Sequence, residues 1–373
     1  MKIGFDAKRA LHNPTGLGNY SRTLIAGMFR KHPENEYVLM DTGSPMELPY
    51  FFRQLGESGA KWSFGRGGLM GKFSRTYGWG ARARHLKMDV FHGLSNEIPI
   101  DWKPGNPKSI VTIHDVIFRR FPEGYAPFDR WIYHQKTTNA CKKADLILAT
   151  SHQTKSDLEQ WYPSSRGKIE VVYQDADPAF HFRKRPEAVA KMLYKFDLVE
   201  RPYMLCVSKL EKRKNHVNLI KAFEMALGEI QEDLVLVGGR GDTADEILDQ
   251  LSRFEGRLRW LGNVETDDLV NLYDGASFTI YPSVFEGFGI PLLESIRRGK
   301  ATISSTGSCF QEIAGTAALY ADPSKPEELA ALMVRLSTLE SERKILEKQT
   351  LIEGKRFSPD LLIEQIHEFY KSV

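Results

Sequence analysis

Short apolar runs and stretches of helical periodicity alternate along the whole chain, which is the pattern of parallel sheets joined by crossover helices. In the first half, strands are expected at 2–6 (KIGFD), 37–41, 89–92, 109–113, 145–149 and 169–172. The second half repeats this at 203–207, 234–238, 257–261, 278–281 and 301–304. Helical spacing marks 18–31, 127–143 and 152–161, the last behind a Ser151 cap, then 215–227, 243–254, 266–274 and 290–299. Three further helices are expected at 326–337, 340–353 and 359–371.

A chain of 373 residues exceeds one ordinary core. Prolines at 178, 186 and 202 cluster just before the strand YMLCV restarts the pattern, so the break is placed there. The expected fold is α/β with two Rossmann-like, doubly wound domains, 1–185 and 200–357, and a last helix, 358–373, packing back on the first. With 51 basic against 48 acidic side chains, the net charge of +3 gives no footprint for nucleic acid. Three dispersed cysteines fit a reducing compartment. No signal peptide and no run of about 18 apolar residues is seen, so a cytoplasmic location is expected.

The segment Ser283-Val-Phe-Glu-Gly-Phe-Gly-Ile-Pro-Leu-Leu-Glu294 follows the strand FTIY and enters a helix. Gly287 and Gly289 let backbone approach a ligand, Pro291 suits the first helical turn, and the free amides around Phe288 and Ile290 favour an anion. Glu286 and Glu294 flank that position and suit hydroxyl groups such as those of a sugar or ribose. An ordinary helix start, with Glu294 as a first-turn charge, fits the spacing equally. A second segment, Val207-Ser-Lys-Leu-Glu-Lys-Arg-Lys-Asn-His216, lies where a strand ends and its crossover begins, the edge at which such sheets bind ligands. Lys209 and Lys214 there are able to neutralise a diphosphate leaving group without a metal, although a solvated charge run reads the same way.

Taken together, the two segments resemble glycosyltransferase family 4, whose members have the two-domain GT-B fold. The match rests on EGFGIPLLE, on SKLEKRKN, and on the run Ser308-Cys-Phe-Gln-Glu-Ile-Ala-Gly315, and it spans nearly the whole chain. The resemblance implies two domains facing a central cleft, the first for the acceptor and the second for a nucleotide-sugar donor. It implies a retaining hexosyltransferase in which Glu294 holds the ribose, Glu286 contacts the transferred sugar, and Lys209 with Lys214 grips the diphosphate. No cofactor or metal is implied, because the nucleotide sugar is a substrate. The family usually has Arg at the position of Lys209, so bidentate phosphate geometry is lost there.

In the first domain, Asn13-Pro-Thr-Gly-Leu-Gly-Asn-Tyr20 resembles the family's glycine-rich loop facing the diphosphate, through Gly16 and Gly18. As a dinucleotide fingerprint it fails at Ser21, and a surface loop is the plain alternative. His114, closing the strand SIVTI, matches a family histidine that touches the donor sugar; a structural turn with Asp115 is the alternative. His92 is a weaker candidate of the same kind. The string IHDVIFRRFPE resembles bacterial mannosyltransferases of surface polysaccharide assembly, which points to mannose from GDP-mannose and a carbohydrate or lipid-linked acceptor. A sugar phosphorylase, a nucleotide-sugar epimerase and a non-catalytic sugar-nucleotide sensor are the competing readings.

Three strings carry less than they suggest. Asp175-Ala-Asp177 mimics a metal-binding pair but reads as the interdomain turn, 65–74 fails as a phosphate loop, and Arg240-Gly-Asp242 is a glycine-rich turn. The stretch 58–88 holds seven Lys or Arg residues and no acid, interleaved with Trp62, Phe64, Phe73, Tyr77 and Trp79. It is a candidate for peripheral contact with anionic membrane, set against a solvated acceptor loop.

Overall fold

The computed structural model describes residues 1–13, 16–42, 61–64 and 74–373, and so most of the 65–74 string lies outside the described residues. Two compact units emerge: Met1–Asp175 with Phe357–Val373, and Ala176–Arg356.

The first unit is built on seven parallel strands: β1 (Lys2–Asp6), β2 (Glu36–Asp41), β3 (Lys61–Phe64), β4 (Val90–Gly93), β5 (Lys108–Ile113), β6 (Leu146–Ala149) and β7 (Ile169–Val171). Their order is β3-β2-β1-β4-β5-β6-β7, with the direction of progression reversing between β1 and β4. Side chains alternate between two core clusters. Ile3, Phe5, Leu39, Ile110 and Leu148 pack on one face, and Met40, Phe91, Val111 and Ile147 on the other. Both faces are buried, which is why these strands read as continuous apolar runs.

The C-terminal helix Pro359–Ser372 belongs to this first unit and lies against helix Gly16–Lys31. Ile363, Ile366 and Tyr370 are buried with Leu24, Ile25 and Met28. Gly27 permits the approach, because a Cβ there would lie 2.4 Å from Cδ1 of Ile363.

The second unit has six parallel strands: β8 (Tyr203–Val207), β9 (Asp233–Val237), β10 (Leu258–Trp260), β11 (Phe278–Tyr281), β12 (Thr302–Ser305) and β13 (Ala318–Ala321). Their order, β10-β9-β8-β11-β12-β13, again reverses at one point, between β8 and β11.

The break between units falls earlier than the prolines suggested. Residues 176–185, expected in the first domain, belong to the second unit. Arg298 holds them: its guanidinium donates to the carbonyls of Phe180 and Phe182 at 2.9 and 2.8 Å while pairing with Asp274 at 2.6 Å. Pro186 starts a helix, Pro186–Lys195, in which proline fills a first-turn position that needs no N–H. Among the described residues no helix is long and apolar enough to cross a membrane.

Candidate active site

In the second unit, the loops after β8 and β11 meet at the point where strand order reverses, the position at which open α/β sheets form a ligand crevice. They are stitched together by the backbone. Val284 N donates to Arg213 O at 2.9 Å, and the Asn215 amide donates to Pro282 O at 3.2 Å from a left-handed backbone, φ 65°.

On this frame three donors converge on one oxygen of Glu286. Lys214 Nζ, Arg213 Nη1 and Ser283 Oγ each lie 2.6 Å from Oε1, and Lys214 also donates to the Tyr281 hydroxyl at 3.1 Å. Glu286 is only 7% exposed. Burial alone would raise its carboxyl, but Lys214 and Arg213 outweigh that and hold it at about 2. A carboxylate so stabilised is ionised at any physiological pH and is a poor base.

The backbone of Glu286 is clamped as well. Its N–H donates to Ser308 Oγ at 3.0 Å, and that hydroxyl donates to Glu286 O at 2.9 Å. Gly289 then takes φ 89° at the cap of helix Ile290–Arg297, a conformation that favours glycine. Gly287 and Phe288 are buried in this turn, and Ile290 is half-buried.

Glu294, one turn into that helix, is in a different environment. It is 8% exposed and accepts from the Tyr273 hydroxyl at 2.8 Å. Burial lifts its carboxyl to about 7, the Tyr273 bond opposes this, and Asp177 adds to it. Two glutamates eight positions apart are thus a fixed anion and a group poised at neutrality.

Lys209 does not join Lys214. Its side chain is 56% exposed and pairs with Glu211 at 2.9 Å. Arg213, which sequence reasoning passed over within the basic run, takes the place beside Lys214. Ser283 and Ser308 were also missed, though both lie in the quoted segments. Tyr273 carried no signal, because nothing local links it to a residue 21 positions on.

In the first unit, Gly16 and Gly18 lie in the first turns of helix Gly16–Lys31 rather than in a loop. A Cβ on Gly18 would lie 1.7 Å from Asn13 O, so that glycine serves chain packing, whereas Gly16 faces open space. His114 is buried, with Nε2 to Leu94 O at 2.9 Å, Nδ1 to the Gln174 amide at 3.0 Å, and Tyr20 edge-on at 4.9 Å. Burial lowers its pKa to about 4, so it is neutral, with both ring nitrogens engaged by protein. His92 is likewise engaged by Tyr370 and Thr112, at 2.7 and 2.8 Å.

Beside His114, a cavity of about 210 Å³ is lined by Arg9, Asn96, Glu97, Asp115, Tyr133 and Lys136. Glu97 pairs with Arg75 at 2.5 Å and Lys136 at 2.8 Å, and those cations overcome burial to hold its carboxyl at about 2. This places Arg75 inside the unit, bonded also to Asp6, and Trp79 is 1% exposed. These two members of the basic aromatic stretch are therefore internal and unavailable to lipid; residues 58–60 and 65–73 lie outside the described residues.

Two Rossmann-type units, the second with a cation-braced glutamate loop at its switch point, define a GT-B glycosyltransferase. Family models agree, with "Glycosyltransferase Family 4" matching residues 16–180 and "Glycosyl transferases group 1" matching 195–351. O-antigen chain mannosyltransferase B of Escherichia coli is 30% identical over 294 residues, 77% of this chain and 75% of that protein. The O-antigen chain mannosyltransferase RfbU of Salmonella typhimurium is 24% identical over 57% of this chain and 56% of its own. Among solved structures, Anabaena HepE with UDP and glucose superposes with a TM-score of 0.75 at 18% identity, covering 100% of both chains. Sucrose-phosphate synthase of Thermosynechococcus elongatus gives 0.78 at 17%, covering 100% of this chain and 98% of that one. The chain belongs to glycosyltransferase family 4, and it is an enzyme of the hexosyltransferase class.

Proposed function

We propose that this enzyme transfers mannose from GDP-mannose, with retention of configuration, to a carbohydrate or lipid-linked carbohydrate acceptor in surface polysaccharide assembly. The donor sugar is suggested by the O-antigen mannosyltransferases to which the chain is similar. The observation that carries the rest is the convergence of Lys214, Arg213 and Ser283 on Glu286 beside the glycine-opened end of helix Ile290–Arg297. Lys214 and Arg213 together outweigh Glu286 by one positive charge, which a departing diphosphate would use. Lys209, exposed at the rim, adds to it when the donor arrives. In this reading these side chains, with the amides at the start of helix Ile290–Arg297, stabilise the leaving diphosphate in place of a metal.

In this reading Glu294 accepts the ribose hydroxyls and Glu286 is oriented towards the transferred sugar. A carboxylate held at about 2 by two cations is a weak nucleophile and base, which favours same-face attack with the leaving phosphate taking the acceptor's proton. Within the first unit Gly16 has open space on its Cβ side, and the cavity lined by Asn96, whose side chain accepts from His114 N, would receive an acceptor sugar. The enzyme works in the cytoplasm. Any contact with anionic membrane then falls to exposed groups such as Tyr77, Arg84 and Lys87, and pelleting that ignores anionic lipid would remove it.

The test is turnover with GDP-mannose, UDP-glucose and ADP-glucose, followed by NMR assignment of the product anomer. Release of GDP with an α-linked mannose supports the reading. An inverted linkage, or turnover with another nucleotide alone, overturns it. Phosphate-dependent turnover without nucleotide, donor epimerisation, or binding without turnover would point to the phosphorylase, epimerase or sensor instead.

A further inference from the structure

Two histidines of the first unit form a cluster that no step of sugar transfer uses. His32 follows helix Gly16–Lys31, and His367 lies on helix Pro359–Ser372. Their rings stack with centroids 3.4 Å apart and planes at 22°, and they are 9% and 3% exposed. Nε2 of His32 and Nδ1 of His367 are buried without a hydrogen-bond partner among the described residues. The nitrogens that face Glu34 are the other two, His32 Nδ1 and His367 Nε2.

Carboxylates surround the pair. Glu34 Oε1 lies 3.5 Å from His32 Nδ1 and 4.0 Å from His367 Nε2, and Glu364 Oε2 lies 3.3 Å from His32 Nε2. One ligand atom from each of His32, Glu34 and His367 falls within 4.8 Å of the others. Bond lengths of about 2.0–2.1 Å around a tetrahedral zinc ion put neighbouring ligand atoms roughly 3.3–3.4 Å apart. The Glu34 separations of 3.5 and 4.0 Å need to close by roughly 0.1–0.7 Å, and no pair of ligand atoms, all within 4.8 Å, by more than about 1.5 Å.

We propose that His32, His367 and Glu34 bind one divalent transition-metal ion of the zinc type. Imidazole donors select such an ion over Mg²⁺ or Ca²⁺, which take oxygen ligands. His32 binds through Nδ1, leaving its Nε2–H to donate to Glu364, the carboxylate–histidine–metal arrangement that fixes ring orientation. His367 binds through Nε2, whose lone pair now accepts from the Asn35 amide at 3.0 Å. Binding turns Asn35 aside and rotates the stacked rings so that both nitrogens meet the ion. With Glu34 and Glu364 ionised, the two positive charges are balanced.

The cluster sits where β2 begins at Glu36, at the amino ends of the strands and opposite the edge that carries Asp6 and His114. The ion therefore takes no part in transfer. It staples the last helix of the chain to the turn after helix Gly16–Lys31.

The test is titration of the metal-free enzyme with Co²⁺, read by its visible absorption, with competition by Zn²⁺ and Mg²⁺. One Co²⁺ per chain is expected, displaced by Zn²⁺ but not by Mg²⁺ and lost in His32→Asn and His367→Asn. Glu34 is 61% exposed, so Glu34→Gln should fold normally even if the histidine variants do not, and it should bind at least tenfold more weakly. Absence of Co²⁺ absorption in the wild type, or unchanged affinity in Glu34→Gln, overturns the proposal.

Discussion

Lys214 and Glu286, 72 positions apart in the chain, meet at 2.6 Å across the switch point of the second unit. The pair is nearly enclosed, with side chains 14% and 10% exposed. Strand order brings it together, because β8 and β11 are neighbours in the sheet though 70 residues of chain separate their ends.

Lys214→Ala leaves a buried carboxylate with Arg213 as its one remaining cation. Removing one member of a buried pair typically costs about 3–5 kcal/mol, and the lower end is expected here because Arg213 stays. Turnover should fall by at least a hundredfold while KM for the donor changes less, since leaving-group stabilisation belongs to the transition state. Lys214→Arg should recover part of kcat. Steady-state kinetics with urea unfolding checks both.

Glu294 links stability to pH. Its carboxyl stands at about 7 in the folded enzyme against an ordinary 4.5, so the folded state holds a proton that the unfolded state releases. Stability is fully present below about 4.5 and declines as pH rises towards 7. Glu294→Gln removes that decline and should be more stable than wild type at pH 8 by about 3 kcal/mol, the equivalent of that shift. Urea midpoints at pH 5 and pH 8 test it; equal differences at both would refute it.

Donor affinity should carry the opposite pH dependence. Ribose hydroxyls donate to the ionised carboxylate, so binding must expel the proton, and Kd should rise as pH falls below about 7. Tyr273→Phe deletes the bond that opposes the shift and should move this inflection upward. Calorimetry in buffers of different ionisation enthalpy reads the proton directly.

In the first unit, Gly27→Ala should force Ile363 off its position, because the new Cβ would lie 2.4 Å from Cδ1. Overpacking of this kind costs about 1–3 kcal/mol. Deleting 359–373 should unfold the unit, since Ile363, Ile366 and Tyr370 each contribute roughly 1.5–3 kcal/mol of apolar burial. Circular dichroism with denaturant checks both variants.

Much of this architecture was legible. Strands buried on both faces announce themselves as apolar runs, and helices 127–143, 152–161 and 340–353 begin and end where periodicity placed them. β3 escaped notice because its four residues, KWSF, sit at the sheet edge within a charged, glycine-rich stretch. β13, ALYA, is too short to stand out beside its flanking turns. The boundary was misplaced because Pro186 was read as a breaker when it starts a helix, and because the Arg298 bonds that hold 176–185 come from far along the chain. At the site, Glu286, Glu294 and Lys214 were singled out from segments that an ordinary helix start and a charge run explained as well, and the family resemblance decided for them. Arg213 and Tyr273 were not, since their importance depends on which strands lie side by side.

The central claim is a nucleoside diphosphate held by Lys214 and Arg213 with its ribose on Glu294. Calorimetric titration of GDP into wild type and Glu294→Ala at pH 8 tests it most directly. Loss of hydrogen bonds to a charged group, worth about 1.5–3 kcal/mol, predicts a Kd at least tenfold higher in the variant. An unchanged Kd, with the variant folded, would contradict the account.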